Sequence, residues 1–184
     1  SDRDVMQDCS YVLIDIPQAV TLFQDMEVFG AGDYSGVGMR NEEANEASYT
    51  TALTPEIAQT NANGVTASTV IDLVRGQLKD VFGASYKEGV TRRTIVNVPE
   101  GSTIHLNRIF GGGYGVTNEN PCDVYEANVN YRSEQALAAG SPDDIDKNGN
   151  QTAGGIYGGN NNCRRTLYSK VNIFSKVRSN ESGY

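Results

Sequence analysis

Tryptophan is absent from this 184-residue chain, histidine occurs once, and 15 Lys and Arg face 23 Asp and Glu, for a formal net charge of −8. The shortage of positive charge argues against a phosphate-binding surface, because nucleic-acid affinity comes mostly from Lys and Arg that neutralise phosphates. Nucleic acid is therefore not an expected partner. No apolar run approaches the ~20 residues of a membrane-crossing helix, so no membrane span is expected. The opening Ser1-Asp2-Arg3-Asp4 lacks the character of a signal peptide, and the chain reads as a soluble, already processed or excised piece. With His105 alone and no GxSxG run, a Ser-His-Asp triad has no support. His105 alternates with Ile104 and Leu106 and reads as an ordinary strand residue. No catalytic residue is assigned.

Cysteine is sparse too. Cys9, Cys122 and Cys163 show no CxxC spacing, which leaves metal and redox motifs unsupported. Cys122 and Cys163 each follow a glycine-rich phrase and are candidates for a disulfide between neighbouring units, the alternative being two free thiols. Cys9 is then left over, either free or linked across a junction to another segment.

What the chain has in quantity is glycine, 20 residues, and tyrosine, ten. They fall into a repeated phrase of an aliphatic residue, an aromatic residue and glycine: Val28-Phe29-Gly30, Val81-Phe82-Gly83, Ile109-Phe110-Gly111 and Ile156-Tyr157-Gly158. A second phrase alternates with it, Asp or Asn between large apolar residues: Ile14-Asp15-Ile16, Ile71-Asp72-Leu73, Val96-Asn97-Val98, Val129-Asn130-Tyr131 and Val171-Asn172-Ile173. Asp72 and Asn97 lie 25 residues apart, and Gly83 and Gly111 lie 28 apart. The two other glycine intervals are nearly double, and each contains a polar insertion, at about 36–67 and 133–154. Thr54-Pro55-Glu56 is a helix start within the first.

Recurrence at this period predicts an all-β chain, a parallel β-solenoid of about four to five coils in a single segment of residues 1–184. The expected strands are 11–16, 22–29, 69–74, 77–82, 94–98, 102–110, 127–131 and 167–177, with breaks at Arg75-Gly76 and Pro99-Glu100-Gly101. Phe29, Phe82, Phe110 and Tyr157 would stack as a column at one corner, followed by Gly30, Gly83, Gly111 and Gly158 because a crowded corner often needs positive φ. Asp15, Asp72, Asn97, Asn130 and Asn172 would form an outward ladder. The alternative is an antiparallel β-sandwich, whose strands have no need to resemble one another.

The runs Ile109-Phe110-Gly111-Gly112-Gly113-Tyr114-Gly115 and Gly155-Ile156-Tyr157-Gly158-Gly159-Asn160-Asn161 resemble the VFGGG and VYGGNN repeats of large bacterial cell-surface β-helix proteins of adhesin-like type. The resemblance weakens toward Gly30 and Gly83. It implies a secreted, extracellular or bacterial cell-surface solenoid with a scaffolding or adhesive role, whose loops contact glycan or protein, and it implies no catalytic residue.

Asp144-Ile145-Asp146-Lys147-Asn148-Gly149-Asn150 places oxygens at alternate positions before a glycine, as in loops that wrap Ca²⁺. Asp144, Asp146, Asn148 and Asn150 are thus candidate Ca²⁺ ligands, although Gly155 stands where an EF-hand has its bidentate Glu, and the same residues also suit a plain turn. Arg92-Arg93 and Arg164-Arg165 each precede an expected strand and would share one edge. Together with Ca²⁺ they define the enzymatic alternative, a calcium-dependent polysaccharide lyase of β-helical type. Nothing resembling a cap is evident near Tyr11 or after 167–177, so the ends are expected to meet neighbouring coils, a continuation of the chain or a partner. If these residues bind calcium, the ion raises the melting temperature and Asp146→Ala abolishes the rise, whereas a plain turn gives no rise; thermal unfolding with and without the ion checks this.

Overall fold

A computed structural model describes residues 9–17, 26–33, 37, 68–117, 122–134 and 154–174. Ten strands follow in order: β1 Cys9–Asp15, β2 Glu27–Phe29, β3 Ser68–Gln77, β4 Asp80–Phe82, β5 Thr91–Val98, β6 Thr103–His105, β7 Arg108–Phe110, β8 Val124–Tyr131, β9 Gly155–Tyr157 and β10 Thr166–Ile173. The described residues contain no helix. One sheet has the order β1-β3-β5-β8-β10, with β6 paired to the end of β3, and the other has the order β2-β4-β7-β9. Every ladder is parallel. The architecture is therefore all-β with parallel sheets, and the antiparallel sandwich is overturned. Parallel neighbours need a long crossover, and here the crossovers within the large sheet run through strands of the small one.

Alternation decides which face of each long strand turns inward. In both β5 and β8, the first, fourth, sixth and eighth residues are buried. Register then turns each inward position into a row across the sheet. Val12, Ile71, Val96, Val129 and Val171 form one row. The small sheet supplies Val28, Val81, Ile109 and Ile156 in register with one another. Apart from Val171, these rows belong to the main core, together with Leu73, Leu78, Ile104, Leu106 and Tyr131. At β10 the inward rows end in exposed Val171 and Ile173.

The aromatic residues stack as a continuous column. Ring centroids are 4.9 Å apart for Phe29 and Phe82, 5.0 Å for Phe82 and Phe110, and 4.7 Å for Phe110 and Tyr157, with interplanar angles of 10° or less. Tyr86 and Tyr114 make a second stack at 5.4 Å and meet Phe29 and Phe82 edge-on.

The glycine after each aromatic has a different cause from the one expected. Positive φ occurs at Gly76, Gly89 and Gly101 instead. At Gly83 the requirement is space: a Cβ there would lie 2.2 Å from the Gly111 carbonyl oxygen and 2.9 Å from the Thr94 Cβ. Gly30 is held the same way, between the Gly83 carbonyl and Thr69. At these points the carbonyl that follows the next strand of the small sheet, and the threonine facing it from the large sheet, leave no room for a side chain.

Several boundaries also differ. β3 runs unbroken through Arg75-Gly76, and the expected strand 102–110 divides into β6 and β7. Val37 and Ser133, placed in the polar insertions by composition, are buried, and Arg92 N–H donates to the Val37 carbonyl at 2.9 Å. Residues 22–25, Thr54-Pro55-Glu56 and nearly all of both insertions lie outside the described residues. Gly83→Ala is expected to cost about 3 kcal/mol, the upper range for overpacking. Gly159→Ala, whose new Cβ would meet only Thr166 atoms at 3.5 Å and beyond, is expected to stay within about 0.5 kcal/mol. Urea unfolding of the two variants checks both.

Candidate functional site

On the outer face of the large sheet, register brings Leu13, Asp72, Asn97, Asn130 and Asn172 into one row. Asp15 does not belong to it. Ser10, Val12 and Ile14 match Thr69, Ile71 and Leu73, which sets Leu13 beside Asp72, and a shift after Ile14 places Asp15 opposite Arg75. The Arg75 Nε donates to the Asp15 Oδ1 at 2.5 Å in an exposed ion pair, a type that contributes little stability.

The amides are bonded rung to rung. Asn172 Nδ2 donates to Asn130 Oδ1 at 2.7 Å, Asn130 Nδ2 to Asn97 Oδ1 at 2.9 Å, and Asn97 Nδ2 to Asp72 Oδ1 at 2.8 Å. An ionised carboxylate only accepts, so Asp72 can stand only at the accepting end of such a chain. Its next neighbour, Leu13, has nothing to donate. Tyr11 supplies the missing donor from two residues earlier in β1, with its hydroxyl 2.8 Å from Asp72 Oδ2. The Tyr11 pKa is raised, first by that hydrogen bond, then by slight desolvation and the carboxylate's charge.

Over this row lies an open groove of about 660 Å³, within the size range of small-molecule sites. Asp72, Asn97 and Asn130 line it from the ladder, with Tyr11 and Leu13 contributed by β1. Val74, Val98, Pro99, Glu100 and Arg132 complete the lining. Tyr11 and Leu13 are 63% and 53% exposed. Arg132 sits with its guanidinium carbon 4.4 Å from the Phe174 ring centre.

The arginine pairs lie elsewhere and are not equivalent to each other. Thr91 and Thr166 both pair with Val124, so Arg92-Arg93 follow that line while Arg164-Arg165 precede it. Arg93 binds Glu126 through Nε and Nη2 at 3.1 and 2.9 Å. Arg164 Nε donates to the fully buried Asp123 at 3.0 Å, and the Arg165 backbone N–H donates to it at 2.9 Å. Arg108 grips the equally buried Asp80, with its Nε at 2.9 Å. A buried pair adds little net stability over apolar residues of the same volume, but removal of one partner leaves a buried charge uncompensated.

Cys122 and Cys163 form a disulfide with Cα atoms 5.6 Å apart, closing a separation of 41 residues beside the Asp123 cluster. Cys9 pairs with Ser68 through the backbone of β1. His105 is exposed between buried Ile104 and Leu106. Asp144, Asp146, Asn148 and Asn150 lie outside the described residues. The sequence reading missed Tyr11, Leu13, Glu100 and Arg132 as lining residues. The polar row was visible, but its neighbours depend on a register that the phrases alone misassign.

Compared with known proteins, the chain matches no family model, no curated protein and no solved structure. The ladder makes its own prediction. Asn97→Ala removes two ladder bonds and Asn172→Ala one, so at about 1 kcal/mol net per bond the inner rung should cost about twice the outer one. Denaturant midpoints for the two variants check the ratio.

Proposed function

We propose that the two parallel sheets are faces of one β-solenoid segment, and that the chain is a non-enzymatic scaffold on the outside of a bacterial cell. Its loops and outer sheet face meet glycan or protein surfaces. The observation that carries this reading is the parallel register that repeats the same rows across β1-β3-β5-β8-β10, with one row of inward hydroxyls and alanine, one of aliphatics and, from β3 to β10, one of outward Asx residues. Such rows are what stacked coils produce, since each unit buries its face only against its neighbours. Two further features support it. The Cys122–Cys163 disulfide suits an oxidising compartment, and the aromatic-glycine phrase resembles cell-surface repeats. Within this reading, Asp144 and Asp146 are candidate ligands for Ca²⁺.

The test is adhesion. Beads coated with the whole chain should be retained on a layer of cells with an intact glycocalyx more than albumin-coated beads. Loss of retention after glycosidase treatment of the layer would identify glycan, and loss after protease treatment would identify protein. Retention equal to albumin overturns the proposal.

A further inference from the structure

From the groove we infer a specific ligand: a neutral, extended oligosaccharide lying across the strands, one sugar ring to each rung of the amide ladder. This inference rests on the scaffold reading and names what one face of that scaffold holds. Neighbouring strands are about 4.8 Å apart, comparable to the length of one pyranose in an extended β-linked chain, so rungs and rings can keep step.

The ladder's chemistry suits such a ligand. A carboxamide has two N–H donors and an oxygen with two lone pairs. Asn97 and Asn130 each donate once and accept once within the ladder. Each therefore keeps a second donor and a second lone pair. A donor and an acceptor side by side match the neighbouring hydroxyls of a sugar ring, since every hydroxyl both donates and accepts. The rungs themselves are held in place by their neighbours, so little side-chain freedom is lost when a ligand arrives.

The flank supplies what hydroxyls do not need. A pyranose has an apolar face of C–H groups that packs on flat or aliphatic surface. Tyr11 and Leu13 are more than half exposed beside the ladder, and the Tyr11 ring is fixed by its hydroxyl bond to Asp72. Charge selects the class of sugar. Asp72 and Glu100 outnumber Arg132 in the groove, and the chain carries −8 overall, so a uronate polymer is repelled where a neutral one is not. Lining residues come from β1, β3, β5 and β8 and from the segments just after β5 and β8, which limits useful ligand length to about four rings at the strand spacing.

The experiment is calorimetric titration of the whole chain with β-1,4-linked gluco-oligosaccharides of two, four and six rings, and with tetragalacturonate. Affinity should rise about tenfold from two rings to four, stay level at six, and be at least about tenfold weaker for tetragalacturonate. Tyr11→Ala should weaken tetramer binding about tenfold and lower the melting temperature no more than Asn172→Ala does, since each removes one exposed-face hydrogen bond. No heat from any neutral chain, preference for the uronate, or full binding by Tyr11→Ala overturns the inference. If coated beads still adhere to cells while no oligosaccharide binds, the groove assignment falls and the scaffold reading stands; if beads fail as well, both fall.

Discussion

A hydroxyl on the inner face of the large sheet donates to a glycine carbonyl in the small sheet, and this contact recurs from strand to strand. Ser10 reaches Gly30, Thr69 reaches Gly83 and Thr94 reaches Gly111. The next residue in that row is Ala127, with Ser169 beyond it against Gly158. The contact sets how near the sheets can come, and it requires glycine at each accepting position. The aromatic column next to it inherits its spacing, because Phe29, Phe82 and Phe110 are each followed by one of these glycines.

Magnitudes separate what stabilises the fold from what specifies it. Each buried Val, Ile or Leu contributes about 1.5–3 kcal/mol, against about 1 kcal/mol net for a hydroxyl or amide hydrogen bond and about 0.5–1.5 kcal/mol for an aromatic pair beyond its area. Apolar burial between the sheets therefore dominates stability. Yet burial alone tolerates a strand slipping by two residues, since alternation returns the same face. The polar rows do not tolerate it: a slip would empty the Asn ladder, move Asp80 from Arg108 and part Asp123 from Arg164.

The two faces of the large sheet divide these tasks. Inside, polar groups are few: Thr69, Thr94, Ser85, Ser102 and Ser133 donate to backbone carbonyls, and Asp80 and Asp123 meet arginine. Outside, Asn97 and Asn130 each use half of their hydrogen-bonding capacity within the ladder, and both line the groove. A surface that is ordered before a ligand binds loses less freedom on binding, which is why a row that holds register is also the best candidate for recognition.

Much of the fold was legible in the sequence. The alternation of Val96-Asn97-Val98 or Val129-Asn130-Tyr131 marks strands by itself, because side chains on a strand alternate between faces. Repetition of the aromatic-glycine phrase marks a stack, because equivalent residues in stacked units share one environment. The tertiary structure alone decided the register. Ile14-Asp15-Ile16 copies the local pattern of Ile71-Asp72-Leu73, yet Leu13 stands beside Asp72, since Ser10 must meet the Gly30 carbonyl. The role of the repeated glycines was hidden for the same reason: a local phrase suggests a backbone angle, whereas the actual limit is a carbonyl oxygen from the neighbouring unit 28 residues away, as between Gly83 and Gly111. The groove depends on both. Tyr11 and Asp72, which share a hydrogen bond, are 61 residues apart in the chain, and only the stacking of their strands makes them neighbours.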